Sequence, residues 1–167
     1  MRELLLLPVC AGAVLCDIYG RKIPNVLTGA GWIAAAAYQW SVKGPLGMKE
    51  FAGGIMVPFV LLGVLHYFHM IGAGDIKLLM ACGGFFGPVG SLQCVCLSFL
   101  IAAAMSLAVL ARHHILLRRL KYLFQYLQDY RKSRKWKPYI TQGEDAAYLH
   151  FSIPVCISVL LMSGGIL

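Results

Sequence analysis

The stretch His66–Phe86, HYFHMIGAGDIKLLMACGGFF, sets an aspartate in the middle of apolar sequence. Asp75 follows a Gly-Ala-Gly turn, Lys77 comes two residues later, and apolar runs lie on both sides. A carboxylate at membrane depth is costly and is usually kept for a function. Two questions follow: whether the surroundings are membrane, and whether a second carboxylate joins the first.

The composition answers the first question. Of 167 residues, 59% are hydrophobic and 13% charged, and the mean hydropathy is +0.72. A soluble domain carries roughly 25% charged residues. The chain therefore reads as one integral membrane domain over residues 1–167. Its net charge of +8 raises nucleic acid as a partner. Most of that charge sits in one block, Arg112–Lys137, beside an apolar run, where anionic phospholipid is the expected contact and nucleic acid is not.

Six cysteines lie in apolar runs and none forms a CxxC pair, so they read as small hydrophobes. Cys94 and Cys96 stand about 200° apart on a helix and cannot share a metal. No metal and no cofactor are expected. The N-terminal MRELLLLPVCAGAVLC resembles a signal peptide, yet it leads into Asp17 with no A-x-A-like cleavage site. It reads as a retained first span.

Apolar runs occupy about 4–16, 26–42, 51–71, 78–111 and 149–167. A crossing takes about 20 residues. The fourth run is too long for one crossing, and its interior GGFFGPVGS, Gly83–Ser91, is rich in breakers. A hairpin near Gly87–Gly90 divides it. The expected fold is an all-α bundle of six transmembrane helices, at about 3–17, 26–42, 51–71, 76–87, 91–111 and 149–167. This arrangement places 12 of the 15 basic residues on one side, and the positive-inside rule makes that side cytoplasmic. Trp32, Trp40 and Trp136 include interface anchors.

Between the fifth and sixth spans lies a cytoplasmic basic segment, 112–148. Leu116, Leu120, Leu123, Leu127 and Tyr130 form an apolar stripe, with Arg118, Lys121, Gln125, Gln128 and Lys132 opposite. An amphipathic basic helix on the inner membrane surface accounts for this, with Arg118, Arg119, Lys121, Arg131 and Lys132 facing lipid headgroups. A solvated extension of the fifth span is the other reading.

Among seven acidic residues, only Asp17 and Asp75 abut apolar spans with no polar run around them. The six-span topology puts both at the cytoplasmic side at similar depth. Carboxylates held close cannot both ionise. The ionised one can take a proton from water while the protonated one hydrogen-bonds the carbonyl under attack, which is general acid–base hydrolysis. Gly72 and Gly74 lack Cβ and allow close approach of backbone or extended peptide. From the residues alone, transport or proton relay and a structural role stay open beside proteolysis. Asp75 with Lys77 also reads as a simple turn feature.

CDIYGRKIPN, Cys16–Asn25, resembles the first motif of type IV prepilin peptidases, and GAGDIKLLMACGGFFG, Gly72–Gly87, resembles their GxGD motif. The similarity covers roughly residues 4–111. It implies an intramembrane aspartyl protease with Asp17 and Asp75 as the catalytic pair. Its substrates would be pilin-like precursors, cut at the cytoplasmic face of the bacterial inner membrane between a basic leader and an apolar helix. Only Ile18–Asn25 separates the first two spans, without the tetracysteine zinc segment of long-form members. The chain is thus similar to the short, peptidase-only form serving Flp/Tad-type pili, with no methyltransferase activity expected. Alternatives are a preflagellin-type peptidase, or a transport or binding protein that keeps the fold without cleavage. Gly72, Gly74, Lys77, Pro24 and Asn25 are the supporting residues, with Pro24 setting the start of the second span and Asn25 bonding near Asp17. His66 and His69 either tune the pair or pack at the interface.

Overall fold

The computed structural model describes residues 2–20, 23–68, 70–112 and 150–164. The basic segment with Arg118, Arg119, Lys121, Arg131 and Lys132 lies outside the described residues, as do Arg21, Lys22 and His69. Met1–Ile101 with His150–Leu167 forms one compact unit and Ala102–Leu149 another; the packing and the site described below belong to the first.

The described residues form four helices, and no strand occurs among them: α1, Arg2–Gly20; α2, Asn25–Tyr67; α3, Ala73–Arg112; and α4, Ser152–Ser163. This corrects the expectation of six. The second and third expected spans fall within α2, and the fourth and fifth within α3. Helical pairing resumes so soon after each interruption that no loop separates the halves. Among the described residues three stretches, Arg2–Gly20, Asn25–Tyr67 and Ala73–Val109, are long and apolar enough to cross a membrane. Leu4, Val26, Ile33, Val60, Val64 and Leu100 are exposed, as suits helices that face lipid. These helices mark the chain as membrane-embedded. At 12 residues, α4 is about 18 Å long, shorter than a hydrocarbon core of about 30 Å.

Neither α2 nor α3 is straight. A 43-residue helix would extend about 64 Å, about twice that core. Its helical dihedrals fail at Gly44, where φ is 57°. A methyl on Gly84 would lie 3.1 Å from Ala35 Cβ and 3.0 Å from the Phe51 ring. Sixteen residues separate those two in sequence, about 24 Å along a straight helix. The chain therefore doubles back between them. In α3 the same failure occurs at Gly87, with φ 76°, and Ser91 returns to touch Gly83.

Both breaks are Gly-Pro pairs, Gly44-Pro45 and Gly87-Pro88. A residue before proline is driven out of the α region, glycine alone takes positive φ without a steric cost, and proline suits the first turn of the helix that follows. Val57-Pro58 has no such glycine, and α2 runs through it.

Helix interruptions at membrane depth leave carbonyls that water cannot reach, so neighbouring side chains must satisfy them. Pro88 lacks the N–H that would bond to the Gly84 carbonyl four residues back. Buried Gln39 supplies it, its Nε2 donating to Gly84 O and Phe85 O at 3.2 Å each. Pro58 orphans the Gly54 carbonyl in the same way, and Ser91 Oγ donates to it at 2.8 Å. Gly54 and Gly83 meet backbone to backbone, where any side chain would clash.

α1 buries Leu6, Val9, Cys10, Ala13 and Asp17; Leu6, Cys10, Ala13 and Asp17 follow steps of four, three and four, with Val9 beside them on the same face. It packs against α2 and α4. Cys10 meets Cys82 of α3 with sulfurs 3.8 Å apart, both thiols fully buried. Midway along α4, the Ser158 hydroxyl pairs with that of Ser98 on α3 at 2.7 Å.

Candidate functional site

The Cys10–Cys82 contact sets the register on which the site depends. Cys10 lies seven residues before Asp17 on α1, and Cys82 seven residues after Asp75 on α3. Seven residues advance about 10.5 Å along each axis. With the two helices running in opposite directions, the aspartates come level. Their carboxylates are close enough for the two charges to repel.

Asp17 occupies the last turn of α1 and is 4% exposed. Its Oδ2 accepts a hydrogen bond from Ser152 Oγ at 2.6 Å, with Ser152 fully buried at the start of α4. Asp75 stands in the first turn of α3 and is partly buried. Acidic residues favour this position, where the helix dipole is positive. Gly72 precedes the helix, and its carbonyl accepts from Ile76 N at 3.4 Å. A methyl on Gly72 would lie 3.2 Å from Asp75 Oδ2, so the missing side chain leaves the carboxylate its room. Gly74 carries no positive φ, and a methyl there would meet Ile23 Cβ at 3.4 Å, an ordinary contact.

The chain just before α2 lies along the turn that opens α3. Ile23 packs on Gly74. Pro24 is extended, φ −63° and ψ 137°, and its carbonyl accepts from Leu27 N at 3.1 Å, opening α2. Lys77 turns to Asn25, donating from Nζ to Oδ1 at 2.8 Å on the exposed rim. Trp32 Nε1 donates to the Lys77 carbonyl at 3.2 Å. Asn25 thus bonds to Lys77, where a bond near Asp17 was expected. His66 closes the α2–α3 turn, its Nδ1 3.0 Å from Ile71 O.

Ser152 is the site residue that sequence reasoning missed. It is 135 positions from its partner, and no spacing rule connects them. The one available signal was a serine beside the proline-containing start of the last apolar run, in HFSIPV.

A pair of carboxylates, one buried and one partly buried, in a largely apolar setting and flanked by small residues, is suited to activating water against a carbonyl. The profile of the type IV leader peptidase family matches residues 4–107, a range that holds both aspartates. The chain belongs to this family. No curated protein and no solved structure matches it. Membership makes it a peptidase-type membrane protein, and α4 with Ser152 lies beyond the matched range.

Proposed function

We propose that the chain is an aspartic endopeptidase that removes the short basic leader of pilin-like precursors at the cytoplasmic face of a bacterial inner membrane. One observation carries the reading: Asp17 and Asp75, from motifs 58 residues apart, meet at one site between α1 and α3. The chain doubles back within α2 at Gly44 and within α3 at Gly87, and both aspartates lie at the same end of α1 and α3. In this reading both aspartates face the cytoplasm, the side that the positive-inside rule assigns to the chain's basic residues. The basic segment 112–148, with Arg118, Arg119, Lys121, Arg131 and Lys132, rests on anionic phospholipid in this reading.

In the reaction, one carboxylate takes a proton from water and the oxygen adds to the scissile carbonyl. The other gives its proton to the carbonyl oxygen, and a gem-diol forms. The first carboxylate then passes its proton to the departing nitrogen. The diol returns one to the second carboxylate as the C–N bond breaks. Water is consumed, and the pair ends with the single shared proton it began with. No metal or cofactor enters these steps.

The test is incubation of the purified protein in lipid with a precursor carrying a basic leader and an apolar helix, with products weighed by mass spectrometry. A single cut at the leader–helix junction, at a rate unchanged by chelator, is expected. A rate that depends on added divalent cation, or no cut at all, contradicts the proposal.

A further inference from the structure

The aspartate pair is not symmetric in its surroundings. Asp17 is almost wholly buried and receives the Ser152 hydroxyl at 2.6 Å, while Asp75 is more open and stands on the helix turn with Gly72 beside it. A short O–H···O contact to a buried oxygen is the geometry of a hydroxyl donating to a charged carboxylate. We propose that Ser152 is a positioning residue that divides the labour of the pair: it holds Asp17 as the charged member, which takes the proton from water, and leaves Asp75 to carry the shared proton to the carbonyl.

This rests on the proteolytic reading above and adds what that reading leaves open, namely which aspartate does which step. It also gives α4 a function. A helix this short contributes little by crossing a membrane, but it packs on α1 and delivers one hydroxyl to the buried end of the site. Ser152 is anchored for this use. It opens α4, Pro154 and Val155 behind it are buried, and Phe151 stacks edge-on against Phe99 of α3 at 5.3 Å. With Oδ2 of Asp17 held from α4, the other oxygen is left for water.

The neighbouring elements carry other titratable groups: Asp75 and Lys77 on α3, His66 on α2, Cys16 and Tyr19 on α1, and His150 just before α4. None of them is altered by a substitution at Ser152, so a difference between the parent and variant profiles reports the lost hydrogen bond. Ser152 bonds to Asp17 and not to Asp75, so its hydroxyl bears on the charge of Asp17 and leaves Asp75 as it is. Removing the hydroxyl therefore moves only the acid limb.

The experiment is cleavage of the precursor across pH by the full-length protein in lipid, as parent, Ser152→Ala and Ser152→Thr. In Ser152→Ala the acid limb of kcat/KM should move up by about one to two pH units, with the alkaline limb unmoved. Ser152→Thr, which keeps the hydroxyl, should restore the parent profile. A uniform drop in rate with both limbs in place, or no change at all, overturns the role of Ser152 and leaves the protease reading intact. A parent protein that cuts no precursor overturns both.

Discussion

At the scale of single residues, two glycines of the Gly-Ala-Gly-Asp turn separate in their duties. The methyl of Gly72→Ala would press on the Asp75 carboxylate at 3.2 Å. Displacing a reacting group by about 1 Å can cost roughly a hundredfold in rate. Gly72→Ala should therefore insert normally and cleave about ten- to a hundredfold more slowly. Gly74→Ala would meet Ile23 at an ordinary distance, with no positive φ to strain it, and should stay within about threefold of the parent by the same reasoning. Initial rates on one precursor compare the two. A slower Gly74→Ala would show that substrate, and not Asp75, is what this turn must accommodate. The aspartates themselves were legible in the sequence, because an isolated carboxylate between apolar runs has few structural uses. Their neighbour Ser152 was not. A hydroxyl costs little in an apolar helix, where it can bond to its own backbone, so nothing in its local sequence marks it as the partner of a residue 135 positions away.

At the scale of elements, helices that break need side chains to receive the freed carbonyls. Gln39 and Ser91 do this for Pro88 and Pro58. Replacing Gln39 with Leu leaves the Gly84 and Phe85 carbonyls buried without that donor, and Ser91→Ala does the same to Gly54. Each should lower stability by about 1–3 kcal/mol, read from unfolding in detergent, while Ser41→Ala on the exposed face of α2 should change it little. Equal stability in all three variants would show that bound lipid or water satisfies these carbonyls. Breaker residues let the sequence place the interruption in α3, since Gly-Pro within an apolar run too long for one crossing has little other use. The separate loop expected at 43–50 was misread. Gly44-Pro45 turns the chain in a single residue, and the polar residues after it continue as helix. Composition reports polarity, and a polar helix end resembles a loop. Register was also beyond the sequence, because it is set by the Cys10–Cys82 contact, which is a matter of packing.

At the scale of the whole molecule, opposed helices bring two distant motifs level, and a third element closes the buried side. The reversals at Gly44 and Gly87 put Lys43–Lys49 at the end of the bundle opposite the aspartates. In intact cells, an impermeant thiol reagent should label a cysteine placed at Lys43 or Lys49 from outside, and a cysteine at Asn25 only after lysis. The reverse pattern would separate the pair from cytoplasmic leaders. The central claim, that the two carboxylates act as one hydrolytic unit, is tested most directly by comparing Asp17→Asn, Asp75→Asn and the double variant with the parent on one precursor, with membrane levels matched. Each single variant should lose about a thousandfold or more, and the double variant should be no worse than either, as for residues that work together. Cleavage at the parent rate by either single variant would contradict it.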